Sequence, residues 1–353
     1  MRHEEAKPRP HSLLAALALA LAAALVLAVS PPAAAVTNQQ DMVVPMGRAV
    51  GIKLFSDGVV VVGLSDISTQ SGDVNPARAC GLKEGDIITH INSQEVDSIE
   101  EVKTLLQESE GEAMHIRALR GSKQLQMTAR AVQCSADGSY KLGAWIRDSM
   151  AGIGTMTFYQ PASGIFGALG HGISDVDTAL LMPLERGSIM YAEVADVQKG
   201  ASGQPGQLKG AFQVYNDLGQ LWANTGCGIF GTLTDKSLTG DRQPVPVADR
   251  RSVQTGPATI LSNIRGTEVE EFDIEIVKVF SESPTDSRDF MVKVTDPDLL
   301  SSTGGIVQGM SGSPILQNGT FVGAVTHVLV NDPTCGYAIS GERMLSQSAR
   351  SGE

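Results

Sequence analysis

Apolar residues along this chain fall in short clusters separated by glycine-containing turns, and two stretches depart from that rhythm. The first is an unbroken apolar run over 13–29, preceded by Arg2, Lys7 and Arg9 and followed by Ser30-Pro31-Pro32 and the small residues Ala33-Ala34-Ala35. It fits both a cleavable secretory signal and a single spanning helix. Either way the basic end stays in the cytoplasm and everything after Val36 is exported. The second is helical: Ile99, Val102, Leu105 and Leu106 share one face, after a capping box of Ser98 and Glu101. The remaining runs read as strands. They lie at 59–62, 115–119 and 125–132, then at 141–146, 154–159, 189–194, 212–214, 226–233, 274–279, 290–294 and 321–330. Strands at this spacing without long helical patterns predict an all-β sandwich or barrel from 139 onward.

Length, charge and cysteine usage narrow the classes. A chain of 353 residues holds two or three domains, and 38 glycines suit tight turns better than helical bundles. A formal net charge of -12 with no Lys/Arg-rich patch argues against a nucleic-acid partner. Cys80, Cys134, Cys227 and Cys335 are too far apart for a metal or redox pair spacing, and they leave three pairings or four free thiols open. No metal and no organic cofactor is expected.

The stretch Asn75-Pro76-Ala77-Arg78-Ala79-Cys80-Gly81-Leu82, the turn Lys83-Glu84-Gly85-Asp86 and Asn92 resemble a PDZ domain of the bacterial protease type. The resemblance implies a β unit with two helices over 45–132. It also implies a groove between the capped helix and the strand Gly51, Ile52, Lys53, Leu54, where a C-terminal or extended peptide adds as an extra strand. The other reading is a PDZ fold that only packs against its neighbour.

Candidate chemistry centres on Gly309-Met310-Ser311-Gly312-Ser313-Pro314, a glycine-flanked turn before an apolar strand. Such a turn presents the Ser311 hydroxyl outward and lets the N–H groups of Gly309 and Ser311 converge as an oxyanion hole. A serine nucleophile needs a base and a group to orient that base. His171, between Gly170 and Gly172, is preferred over His327, which sits in an alternating strand pattern. Asp296 is preferred as the acid because it follows a strand; Asp175, Asp177 and Asp298 compete with it. Ser313 reads as a shape residue of the turn.

The segments GALGHGISDVDT, KVTDPDLLSSTGGIVQGMSGSPILQNG and GAVTHVLVNDPTCGY, preceded by a PDZ-like unit and one membrane segment, resemble the stage IV sporulation protein B (SpoIVB) peptidases as far as Leu345. The resemblance implies a trypsin-like double β-barrel with Ser311 as nucleophile, His171 as base and Asp296 as acid. It implies this layout: a cytoplasmic tail and anchor over 1–36, a linker over 37–44, the PDZ unit over 45–132 and the peptidase over 139–353. It further implies an enzyme that cuts its own N-terminal region and then a regulatory membrane protein of the sigma-K processing complex, in the space between mother cell and forespore. An HtrA-like quality-control protease and a catalytically silent PDZ adaptor are the alternatives.

Overall fold

The computed structural model describes residues 42–350 except 282 and 284–286, so the expected tail and anchor lie outside the described residues. Among the described residues no helix is long and apolar enough to cross a membrane. The protein is mostly β, and its chain builds two six-stranded barrels with a PDZ unit let into the first.

The first barrel uses β1 (Met42–Leu64), β5 (Ala144–Gln160), β6 (Ile165–Ala168), β7 (Arg186–Gln198), β8 (Gln207–Thr225) and β9 (Gly228–Leu233). Between its first two strands the PDZ unit adds β2 (Ile87–Ile91), β3 (Ala113–Arg120) and β4 (Lys123–Arg130), with helices α1 (Pro76–Cys80) and α2 (Ile99–Glu108). The second barrel uses β10 (Gly256–Arg265), β11 (Glu268–Val279), β12 (Phe290–Val294), β13 (Pro314–Gln317), β14 (Thr320–Leu329) and β15 (Asp332–Ser340). Helix α3 (Pro297–Thr303) follows β12, and α4 (Gly341–Arg350) ends the described chain.

Both barrels close in the same order, so that strands one, two and three are followed by six, five and four. In the first this reads β1-β5-β6-β9-β8-β7, closed by pairing of β7 with β1; the second reads β10-β11-β12-β15-β14-β13, closed by β13 with β10. Full closure leaves no unpaired edge to recruit another chain. Each barrel is filled by buried apolar side chains: Ile52, Met156, Phe166, Ile189 and Ile229 in the first, Ile260, Phe272, Ile274, Val292 and Ile315 in the second.

Strand β1 differs from expectation. Residues 42–44, read as linker, already belong to it, and Gly51, Ile52, Lys53 and Leu54 are not the edge of a peptide groove. They pair with Ile153 to Met150 of β5 on one side and with Met190 to Gly187 of β7 on the other. With both edges occupied this stretch cannot accept an added strand, and the peptidase fold draws its first strand from the N-terminal side of the PDZ unit. Only the last part of β1 serves the PDZ sheet, where Val59 and Val60 pair with Ile88 and Ile87 of β2.

The PDZ unit follows its local signals. Ser98 accepts from the Glu101 N–H while the Glu101 side chain accepts from the Ser98 N–H, as the capping box requires. Asn75 caps α1, and Gly81 ends it in the left-handed region that favours glycine. All four cysteines are free thiols.

Candidate active site

The two barrels meet where the turn after β6 faces the turn before β13. Thr155 of β5 joins them. Its N–H donates to the Ser311 carbonyl at 3.1 Å, its hydroxyl donates to the Gly309 carbonyl at 2.7 Å, and its own carbonyl accepts from the Leu169 N–H at 3.1 Å. One buried threonine thus fixes the serine turn and the histidine turn to the same strand. The approach is so close that a Cβ on Gly312 would lie 2.2 Å from the Thr155 carbonyl oxygen and 2.6 Å from the Leu169 nitrogen. Leu169 and Gly170 both have φ of +69°, and this backbone swings His171 back over β14.

His171 and Ser311 line one cavity of about 300 Å³, walled by Ile52, Met150, Ile153, Leu169 and Ile173. The His171 Nδ1 lies 2.8 Å from the Gly172 carbonyl oxygen. A carbonyl can only accept, so Nδ1 carries the proton and Nε2 keeps the lone pair of a base. Burial pushes the imidazole below its ordinary value of 6.5, against the opposing pull of the Gly172 carbonyl. The Ser311 hydroxyl donates to the Thr326 carbonyl at 2.6 Å. Around it the N–H groups of Met310, Gly312 and Ser313 reach Val307, Val325 and Met310 carbonyls, whereas those of Gly309 and Ser311 have no acceptor among the described residues. Ser313 is fully buried, 3.1 Å from the Ser262 hydroxyl inside the second barrel, as its reading as a shape residue requires.

His327 is the strand residue expected, in β14, yet its ring centre lies only 5.0 Å from that of His171. Burial, then the charges of His171 and Arg288, push its imidazole down. Strand alternation could not show this proximity, because it depends on the other barrel.

Asp296 is placed elsewhere. It is the N-cap of α3: one carboxylate oxygen accepts from the Asp298 and Leu299 N–H groups at 2.9 Å each, and the other accepts from the Asp273 N–H at 3.4 Å. One oxygen serves that helix and the other strand β11, and no hydrogen bond joins Asp296 to His171 among the described residues. Asp-Pro at the N-cap and first helical positions is itself a capping signature. Asp298 lies in that helix's first turn, and Asp175 and Asp177 both pair with Arg147. The group within hydrogen-bond reach of His171 Nδ1 is the Gly172 backbone carbonyl, which no side-chain motif announces.

These positions give a direct test. Asp296→Asn preserves a cap and is expected to keep kcat within several-fold of the parent, where an aspartate orienting a catalytic histidine would cost about 10⁴-fold. Asp296→Ala is expected to lower stability by about 1 kcal/mol, read from the denaturation midpoint.

Comparison with known proteins gives this geometry its family. Residues 138–345 match the family described as SpoIVB peptidase S55, and residues 73–120 match a PDZ domain. The chain belongs to the SpoIVB peptidase S55 family. It is a serine peptidase with a PDZ domain. A zinc metalloprotease RasP from Shouchella clausii (strain KSM-K16) is 39% identical over 84 residues, 24% of this chain and 19% of that protein, so the match spans about a fifth of the relative's length. Among solved structures, the PDZ domain of an SdrC-like protein from Listeria monocytogenes is 24% identical over 26% of this chain and 87% of its own, with a TM-score of 0.21. The active form of the Rv3671c protease from M. tuberculosis is 14% identical over 57% of this chain and 75% of its own, with a TM-score of 0.34. The fold assignment rests on the strand order and the family match.

Proposed function

We propose that this peptidase works by Ser311 attack with His171 as the base, and that its task is the sporulation cleavage carried out between mother cell and forespore. The observation that carries the chemistry is the His171 tautomer: Nδ1–H held by the Gly172 carbonyl leaves Nε2 free, in the same cavity as Ser311. Substrate entry turns the hydroxyl from Thr326 toward Nε2, in keeping with the tightening of catalytic hydrogen bonds on substrate binding. Ser311 Oγ then bonds to the scissile carbonyl carbon as its proton passes to Nε2. The oxyanion is received by the N–H groups of Gly309 and Ser311. The proton next moves from Nε2 to the departing amine, the C–N bond breaks, and water hydrolyses the Ser311 ester by the same route.

The lowered basicity of His171 sets the pH behaviour. The neutral imidazole is the active form, so kcat/KM is expected to stay level on acidification through 6.5 and to fall only below it. Over that interval the unfolded chain binds more protons than the folded one, and stability falls as pH is lowered. A pH profile of kcat/KM whose acid limb lay at or above 6.5 would contradict the buried neutral histidine.

The first substrate is the enzyme's own N-terminal region. Strand β1 is buried over Val43–Gly47, so an accessible cut lies upstream of Met42. The second is a regulatory membrane protein that restrains the protease maturing pro-sigma-K. Incubating the purified peptidase with the exported part of that regulator, beside casein, tests the role. Discrete cleavage of the regulator with casein intact supports it, and turnover of casein alone supports envelope quality control instead.

A further inference from the structure

The groove of the PDZ unit lies between α2 and the far end of β1, and it is already occupied. The outer edge of β1 at Val60–Leu64 pairs antiparallel with the first residues of β5: Val60 with Arg147, Val61 with Ile146, Gly63 with Trp145 and Leu64 with Ala144. The other edge belongs to β2. Leu142 is buried in the PDZ core beside Val102 and Leu106 of α2, and Ala144 and Ile146 pack against the same cluster. This is strand addition by the chain itself, with alternate side chains in the groove.

The charged end of the groove is filled too. The Gly58 N–H, at the turn before the groove strand, donates to the Asp97 carboxylate at 3.0 Å. The Ile99 N–H, in the first turn of α2, donates to the Asp148 carboxylate at 3.0 Å. Asp148 directly follows the added strand, so the internal segment brings its own carboxylate to the helix N-terminus, where the dipole favours an anion. A peptide entering with a free C-terminus meets two carboxylates and no open edge.

We propose that the PDZ groove is an internal latch, its ligand the chain's own segment from Leu142 to Asp148, and that this latch sets the geometry of the peptidase cavity. The connection is covalent and short. Beyond Asp148 the same strand supplies Met150 and Ile153 to the cavity of His171 and Ser311. Arg147, inside the latch, pairs with Asp175 and Asp177 in the loop that follows His171. Releasing the segment removes support from both walls of the site.

The test uses the full chain and a labelled peptide of residues 140–148. Held in cis, the segment competes at the millimolar effective concentration of a short tether, so the peptide is expected to bind the wild-type chain at least ~100-fold more weakly than an Ile146→Asp variant. The same variant is expected to lose about tenfold in kcat/KM on a short reporter peptide. Equal peptide affinity for the two proteins overturns the proposal. Asp148→Ala gives an independent reading, because it removes the carboxylate on the Ile99 N–H and otherwise loses only the hydrogen bond from the neighbouring Ser149 hydroxyl. Hydrogen exchange at residues 144–147 is expected to quicken about tenfold with residues 155–158 unchanged, and unchanged exchange at 144–147 overturns the latch. Binding and exchange report on the groove alone, whereas the loss of kcat/KM rests on the Ser311–His171 mechanism, so the two can fail separately.

Discussion

The Ser311→Ala variant is expected to retain its full mass after export, while the parent chain is recovered shortened at a site before Met42. Loss of the attacking oxygen removes the covalent route altogether, and kcat should fall by about 10⁴ to 10⁶. His171→Ala should fall by a similar factor, because an unactivated hydroxyl is a poor nucleophile near neutral pH. The two losses should not add, since the residues act as one unit and either deletion leaves only the oxyanion donors and substrate binding. Intact-mass measurement and single-turnover rates on the two variants and the double variant decide it. A Ser311→Ala chain that still shortens itself at the parent rate would remove Ser311 from the chemistry.

Gly312→Ala is expected to damage the site as well, though the residue carries no catalytic group. Its φ of +98° is in the left-handed region that favours glycine. The added methyl group would also meet the Thr155 carbonyl and the Leu169 nitrogen at 2.2 and 2.6 Å, both backbone atoms that cannot swing aside as a side-chain tip could. Relief requires the serine turn to lift from β5, breaking the Thr155 contacts that hold it opposite His171. A displacement of about 1 Å between reacting groups costs roughly 10²-fold, so kcat/KM should fall at least that far. Folding stability should fall by about 1–3 kcal/mol from the backbone strain. Calorimetry and steady-state kinetics on one sample separate the effects. Activity within threefold of the parent would show that the Thr155 bridge does not align the site.

Local chemistry was written plainly in the sequence where one turn or one helix suffices to express it. The Ser98–Glu101 box and the glycine-flanked Ser311 turn depend on neighbours within a few residues, and the structure has both. His171 was singled out by its flanking glycines, and it lines the cavity with Ser311. What depends on distant partners was not legible. The sequence of β1 reads equally well as a PDZ strand or a barrel strand; which it is depends on β5 and β7, far along the chain. Thr155 carries no local mark of joining the two turns. Asp296 reads as an acid because it follows a strand, although Asp-Pro before a short apolar helix states its capping role in the sequence itself.

The insertion of the PDZ unit between β1 and β5 bears on how the peptidase is made. Phe55 and Ser149 are paired neighbours in the first barrel, yet about ninety residues separate them, and bringing such distant points together slows folding. Once β2, β3, β4 and the two helices have assembled, those two ends emerge side by side, and the long closure becomes a hairpin. The inserted unit can thereby serve as a folding template for the barrel around it, and with it for the His171 side of the active site.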